Sequence, residues 1–232
     1  MFPIANSLQG VKTRIDAAIA RRPARFTAPV RLLAVSKNKT ATEIAAAIEI
    51  GIEEFGENYV QEALPKIAVL APMTTTRCVA WHLIGPLQSN KAKLVAQHFD
   101  WVQSINREKI ADALDRHRSE LQRPLDVLVQ VNASAEPAKS GIAPDGVLAL
   151  ARHVAAKPRL RLRGLMTIAE NVVDESVLRS QFRLVRDLFE ELAIEMPAVD
   201  TLSMGMSADF PIAIEEGATL VRIGTAIFGE RV

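Results

Sequence analysis

The sequence predicts an α/β fold, a single (β/α)8 barrel of the TIM type with one extra helix before the first strand. The chain has 232 residues, a length that suits one such barrel. Short apolar runs alternate with amphipathic stretches, and eight of the runs have the length of a strand. Several runs are continuously aliphatic or β-branched, which is typical of buried parallel strands. No linker or change in composition divides the chain, so we expect residues 1–232 to form one domain.

The elements are assigned in chain order. Apolar side chains from Leu8 to Ile19 recur at helical spacing and predict an amphipathic helix before the barrel. Helices also connect the strands, and the first of these opens at the capping-box pattern of Thr40 and Glu43. The predicted strands are Arg31–Ser36, Glu53–Gly56, Ala80–Gly85, Trp101–Ile105, Leu125–Asn132, Leu162–Ile168, Thr201–Met204 and Leu220–Gly224.

Composition excludes several classes of protein. Lys and Arg number 28 against 27 Asp and Glu, and aromatic residues are only 5%, which disfavours a nucleic-acid-binding surface. The single cysteine, Cys78, excludes an internal disulfide framework and a zinc site built from several thiolates. No apolar run reaches the roughly 18 residues of a membrane span, and no signal-peptide pattern opens the chain. We therefore expect a cytoplasmic protein with no nucleic-acid or membrane partner.

Lys37 is the first candidate for chemistry. In (β/α) barrels the active groups lie at the carboxyl ends of the strands, and Lys37 directly follows the apolar run of the first strand. Partial withdrawal from water favours the neutral amine, which is a nucleophile and forms Schiff bases. The alternative is an ordinary strand-end lysine whose ammonium reaches water. Lys39 is the competing amine, two residues further along.

The loops after the last two predicted strands suit an anion. Ser203 and Ser207 lie in a small-residue segment before a helix predicted at Phe210–Glu216, and Gly224 and Thr225 follow the final strand. Small residues let backbone N–H groups approach an anion, and these two loops form the phosphate site of many (β/α) barrels. The alternative for Ser207 is ordinary helix capping.

Two charged or titratable residues lie within apolar strands. Arg222 must find a partner inside the barrel, either a ligand's ring nitrogen or carboxylate, or an acidic neighbour. His82 is a hydrogen-bonded core residue or a base, and no acid or second histidine lies at metal-ligand spacing, so no metal is expected. The alternating Arg159, Arg161 and Arg163 are predicted to form the solvated entrance of a strand.

Eight further segments stand out, which are Ala34–Lys37, Phe55–Glu62, Trp81–Lys91, Gln130–Ser134, Lys139–Gly141, Gly164–Ile168, Leu202–Phe210 and Val221–Arg231. Together, in this order, they resemble the pyridoxal phosphate homeostasis proteins, which are similar to the N-terminal barrel domain of alanine racemase. The resemblance covers essentially the whole chain.

The resemblance implies a site for pyridoxal 5′-phosphate. By this resemblance Lys37 forms a Schiff base with the cofactor, and Arg222 lies near the pyridine nitrogen. The phosphate is expected around Ser203, Ser207, Gly224 and Thr225, and the ring surroundings are expected to include Asn58, His82 and Met166. The implied function is intracellular vitamin B6 homeostasis, in which the protein holds the cofactor and buffers it or delivers it to pyridoxal-phosphate-dependent apoenzymes.

The alternative function is a small fold-type III amino-acid racemase. Racemisation needs acid–base groups on both faces of the cofactor, and in the racemase the second is a tyrosine from a C-terminal domain of the partner chain. The sequence offers only Tyr59, within a barrel motif. An arginine at the ring nitrogen also weakens the cofactor as an electron sink. We therefore expect a monomeric binding protein without robust catalysis. A Schiff-base aldolase would leave the phosphate loops and Arg222 unexplained.

Overall fold

A computed structural model of the chain describes residues 4–134, 140–170 and 174–229. Eight parallel strands close into a barrel, each hydrogen-bonded to the next in chain order and the last to the first. The strands are β1 Arg31–Val35, β2 Glu54–Glu57, β3 Ala80–Leu83, β4 Trp101–Ile105, β5 Leu125–Val131, β6 Leu160–Thr167, β7 Thr201–Ser203 and β8 Leu220–Ile223. All eight lie where the sequence predicts them, with no end shifted by more than two residues, so the predicted barrel is confirmed.

The helices cover the outside of the barrel. They are α1 Ile4–Arg21, α2 Ala41–Glu49, α3 Val60–Arg77, α4 Ala92–His98, α5 Glu108–His117, α6 Val147–Ala155, α7 Glu175–Glu195, α8 Phe210–Glu215 and α9 Thr225–Phe228. The predicted extra helix is α1, which packs against α8 and α9. Its buried face ends at Ala18 rather than Ile19, because spacings of three and four residues from Leu8 lead to Ala18. No helix among the described ranges is both long and apolar enough to cross a membrane.

The amino-terminal end of the barrel differs from the sequence expectation. Arg161 and Arg163 do not merely face water, since Arg161 Nε lies 2.5 Å from Oδ1 of the buried Asp126 and Arg163 pairs with Asp200. The Arg163 guanidinium also lies 4.9 Å from the ring centroid of Trp101. The arginines therefore line this end of the barrel and are held there by ion pairs and a cation–π contact.

The interior of the barrel contains few apolar side chains. Trp101, Leu128 and Met166 form a small cluster there, separate from the main core between strands and helices. Much of the remaining interior is polar, because His82, Gln103, Ser203 and Arg222 are all buried. Buried polar groups must be hydrogen-bonded, so their arrangement is specific.

Candidate functional site

Lys37 lies at the carboxyl-terminal mouth of the barrel. Leu33 is paired with Arg222, whose side chain lies inside the barrel, and alternation along β1 puts Lys37 on the same inward face. Its half-buried amine makes no hydrogen bond or ion pair within the described ranges. By contrast, Lys39 Nζ donates to Phe228 O at 3.1 Å and lies 3.5 Å from Glu43 Oε1. Lys37 therefore offers the free amine, and Lys39 does not.

A buried ion cluster braces the backbone on both sides of Lys37. Lys66 Nζ donates to Ser36 O at 2.9 Å, to Glu57 Oε1 at 2.9 Å and to Glu62 Oε1 at 2.6 Å. Ser36 Oγ also donates to Glu57 Oε1 at 2.7 Å, and Asn38 N donates to Glu62 Oε1 at 2.5 Å. Both neighbours of Lys37 are thus tied to one cluster, which restricts the position of the Lys37 backbone.

Removing Lys66 should strongly destabilise the fold. Glu57 is fully buried, and burial raises its pKa although Ser36 and Lys66 oppose the shift. We expect Lys66→Met to lower the free energy of unfolding by about 3–5 kcal/mol, because a buried carboxylate loses its partner. Urea unfolding measures this, and the double variant Lys66→Met/Glu57→Gln should recover part of the loss. A change below about 1 kcal/mol in the single variant would contradict the brace.

The interior polar groups form one continuous chain of hydrogen bonds. Arg222 Nη2 donates to Thr167 O at 2.6 Å, and Nη1 donates to Ser203 Oγ at 2.7 Å. Ser203 Oγ donates in turn to Gln103 Oε1 at 2.7 Å, and Gln103 Nε2 lies 3.1 Å from His82 Nδ1. Burial lowers the pKa of Arg222 to about 10, partly offset by Asp209, so the guanidinium remains charged at neutral pH. This hydrogen-bonded chain holds a cation inside the barrel.

His82 is held as a neutral residue. Because Gln103 Nε2 donates to its Nδ1, the ring proton lies on Nε2, which is 3.5 Å from Glu54 Oε2. The imidazole stacks on Trp101 with a centroid distance of 5.0 Å. Burial, followed by the charges of Arg31 and Arg123, holds the pKa of His82 well below its usual value. Of the two interpretations of His82, a hydrogen-bonded core residue or a base, this arrangement favours the core residue.

The neutral state of His82 should make stability depend on pH. Below about pH 6.5 the unfolded chain binds a proton at this histidine and the folded chain does not, so the free energy of unfolding falls as pH falls. Relative to His82→Gln, we expect an extra loss approaching about 1.4 kcal/mol per pH unit below pH 6. Denaturant unfolding of both proteins measures the difference in the free energy of unfolding. Glu54 and Glu57 contribute to the pH dependence in the opposite direction, but they are present in both proteins, so their contributions cancel in this difference. Parallel curves between pH 6.5 and pH 5 would contradict the neutral assignment.

The loops after β7 and β8 meet beside the end of β1. Arg222 N donates to Gly205 O at 3.0 Å, which ties the loop after β7 to strand β8. Gly205 has a φ of 92°, and a Cβ there would lie 2.6 Å from Ala213 Cβ, so only glycine fits. At Gly224 a Cβ would lie 3.2 Å from Val35 O. This close approach brings the β8 loop next to the strand that carries Lys37.

These loops present unpaired donors. The backbone N–H groups of Ser207, Ala208 and Thr225 donate no hydrogen bond within the part of the chain that is described. The hydroxyl groups of half-buried Ser207 and exposed Thr225 have no side-chain partner there either. Converging N–H and O–H donors of this kind suit a phosphate group.

Two further predicted residues lie in the same region. Asn58 follows β2 at the mouth, and Gly85 after β3 approaches it so closely that a Cβ would lie 2.2 Å from Asn58 O. Met166 is fully buried inside the barrel. Of the predicted site residues, the mouth therefore carries Lys37, Asn58, Ser207, Gly224 and Thr225, and the interior carries His82, Met166, Ser203 and Arg222.

The sequence reasoning missed Gln103 and the Lys66 cluster. Gln103 could have been found by the argument applied to Arg222, because it is a polar residue within the apolar strand Trp101–Ile105. Glu62 and Lys66 stand four residues apart on one helix, a spacing that permits an ion pair. That spacing does not reveal contacts with Ser36 and Asn38, which arise only when the barrel closes.

The opposite end of the barrel offers no comparable donors. A cavity of about 470 Å³ opens there, but its arginines face carboxylates, as Arg31 faces Glu54 at 3.2 Å. Within the described ranges, no three His, Cys, Asp or Glu side chains are close enough to hold a metal ion. The groups without a partner described above lie instead at the carboxyl-terminal mouth, the end at which (β/α) barrels carry their active groups.

Comparisons with known proteins identify the family of this chain. Residues 13–232 match the family model of the alanine racemase N-terminal domain. The chain is 48% identical over 231 residues to the pyridoxal phosphate homeostasis protein of Vibrio cholerae, covering 100% of this chain and 98% of the relative. It is 49% identical to the protein of that name from Escherichia coli K12, with the same coverage.

Solved structures give the same result. PipY of Synechococcus elongatus, solved with PLP bound, superposes with a TM-score of 0.82 at 36% identity, covering 97% of this chain and 100% of PipY. Alanine racemase from Corynebacterium glutamicum shares the fold with a TM-score of 0.63 at 16% identity, and the match covers 92% of this chain and 60% of the racemase chain. This chain therefore belongs to the alanine racemase N-terminal domain family and, within it, to the pyridoxal phosphate homeostasis proteins.

Proposed function

We propose that this protein binds pyridoxal 5′-phosphate at the carboxyl-terminal mouth of the barrel and serves intracellular vitamin B6 homeostasis. The observation that carries the proposal is the free amine of Lys37, which is braced on both sides and lies beside two loops with unpaired donors. The related PipY structure has PLP bound, and the curated relatives are named for pyridoxal phosphate homeostasis.

The residues at the mouth fit the functional groups of this cofactor. The bound cofactor would supply an aldehyde carbon, with which the Lys37 amine forms a reversible C=N bond as one water leaves. The N–H groups of Ser207, Ala208 and Thr225, with the hydroxyls of Ser207 and Thr225, would hold the phosphate beside Gly224. Asn58 at the mouth and Met166 below it would line the surroundings of the ring.

Arg222 would face the pyridine nitrogen. The hydroxyl of Ser203 already accepts from Arg222 and donates to Gln103, so we assign Ser203 to orienting this arginine rather than to contacting the phosphate. His82 supports the same chain from its other end. A fixed cation at the ring nitrogen disfavours its protonation and limits the stabilisation of a carbanion. This favours storage and delivery over amino-acid chemistry.

The competing function is a small amino-acid racemase. The observation in its favour is Tyr59, which precedes α3 next to Asn58 at the mouth and is 58% exposed. The Tyr59 side chain is exposed and makes no capping hydrogen bond to α3, so its phenol is poorly positioned for proton transfer. Losing one acid–base partner typically lowers the rate by about 10²–10⁴-fold. We therefore expect no racemisation of alanine at an enzymatic rate.

A paired assay tests the proposed function. The loaded protein is incubated with each alanine enantiomer, and separately with a pyridoxal-phosphate-dependent apoenzyme whose activity reports cofactor delivery. We expect apoenzyme reactivation without racemisation. Robust turnover of alanine that disappears in Lys37→Ala would support the racemase instead, and failure to reactivate any apoenzyme would remove delivery from the proposal.

Two further expectations belong to this proposal. A monomer is expected, and sedimentation velocity at low micromolar concentration tests it, since a tight dimer would contradict it. A cytoplasmic location agrees with the exposed free thiol of Cys78, which a reducing compartment tolerates.

A further inference from the structure

A second cleft, of about 440 Å³, opens beside Asn58 at the same end of the barrel. The loops after β2 and β3 form its walls, and Arg107 before α5 completes them. Val60 and Leu87 give it a buried apolar floor, and the aromatic ring of Tyr59 is left largely in solvent at its edge. An apolar floor beside an exposed aromatic ring suits a ligand that has a ring of its own.

The charge of this cleft is uncompensated. Lys91 and Arg107 both line it, and none of the described lining residues is acidic. The Lys91 ammonium makes no hydrogen bond or ion pair in the described ranges, and the Arg107 guanidinium donates only to the neutral Asn106, at 3.1 Å. In contrast, Lys39 at the mouth and Arg31 at the opposite end each face a carboxylate. The cleft therefore presents two cations that face no carboxylate among the described residues.

The walls of the cleft are fixed without a ligand. Gly85 packs against Asn58 so closely that no side chain would fit between the two loops. Lys91 ends a 3-10 turn in which its N–H donates to Gln88 O at 2.9 Å. Ligand binding to a preformed cleft costs less free energy, because fewer protein groups have to be ordered.

We propose that this cleft binds a small organic phosphate that carries a ring. A phosphate dianion balances Lys91 and Arg107, and arginine matches phosphate geometry. The ring would lie on Tyr59 above the floor of Val60 and Leu87. Because Asn58 borders both sites, the ligand would lie next to the cofactor site without using Lys37. The proposal therefore stands independently of the proposed function.

Phenyl phosphate is the probe for this site. It is titrated calorimetrically into protein saturated with pyridoxal 5′-phosphate, and separately into Lys37→Ala. We expect saturable binding in both, weakened at least about tenfold by Lys91→Gln and by Arg107→Gln. The exposed neighbours Lys93→Gln and Lys109→Gln are the matched controls and should leave affinity unchanged. Tyr59→Ser should weaken phenyl phosphate but not inorganic phosphate.

Three results would overturn the assignment. These are absence of saturable binding, unchanged affinity in the Lys91→Gln/Arg107→Gln double variant, and binding to Lys37→Ala but not to the protein saturated with pyridoxal 5′-phosphate, which would place the probe in the cofactor site. Equal affinity for phenylacetate would show a carboxylate site and would likewise contradict the phosphate assignment. Failure of the apoenzyme assay, in contrast, leaves these titrations unaffected.

Discussion

Replacing Lys37 by alanine should abolish the covalent attachment of pyridoxal 5′-phosphate. Within the described ranges Lys37 has the free amine on the inward face of β1, and the neighbouring Lys39 is engaged by Phe228 O and Glu43. Lys66 cannot substitute either, because it is held by two carboxylates. We therefore expect the visible absorption band of the lysine adduct to fall to background, while weaker, phosphate-dependent binding remains.

Lys39→Ala is the matched control for this experiment. It removes an amine two residues away and should leave the visible band at full strength. Absorption spectra of the three proteins, recorded during titration with the cofactor, give the comparison. A band that persists in Lys37→Ala and disappears in Lys39→Ala would transfer the site to the other lysine.

The second large effect concerns the phosphate group. Pyridoxal, which lacks the phosphate, should bind at least about 100-fold more weakly than pyridoxal 5′-phosphate. Each charge-assisted hydrogen bond contributes about 1.5–3 kcal/mol, and two such bonds correspond to this ratio. The unpaired N–H groups of Ser207, Ala208 and Thr225 supply more than two donors. Equilibrium titration with both compounds measures the difference.

Substitution in the loops should reduce this discrimination. Ser207→Ala and Thr225→Val each remove one hydroxyl and keep the backbone N–H groups, so the preference for the phosphorylated compound should fall without disappearing. The matched control is Thr13→Val on α1, an exposed hydroxyl that donates to Gln9 O within its own helix. Equal affinity of the native protein for both compounds would show that the loops do not hold the phosphate.

The barrel itself could be predicted because parallel strands leave a simple signal. Each strand is a short apolar run with helical pattern on either side, and eight such runs in one chain restrict the fold. The ends of the strands were harder to predict. Strand β6, for example, begins at Leu160, because Arg161 and Arg163 pair with carboxylates. Ion pairs between distant segments decide such boundaries, and periodicity does not encode them.

The site could be predicted only in part for a similar reason. Lys37 and Arg222 were visible as charged residues at the end of, or within, apolar strands. The series of hydrogen bonds from Arg222 through Ser203 and Gln103 to His82 could not be predicted, because it joins strands that are far apart in sequence. Whether a buried polar side chain contacts the ligand or supports another side chain depends on these cross-barrel distances.

Peptide mapping after borohydride reduction tests the central claim most directly. The native protein is loaded with pyridoxal 5′-phosphate, hydride from borohydride reduces the C=N bond to a stable C–N bond, and the digested protein is analysed by mass spectrometry. We expect one labelled peptide, with the pyridoxyl group on Lys37. A label on Lys39 or Lys66, or one spread over surface lysines with Lys37 unmodified, would contradict the account.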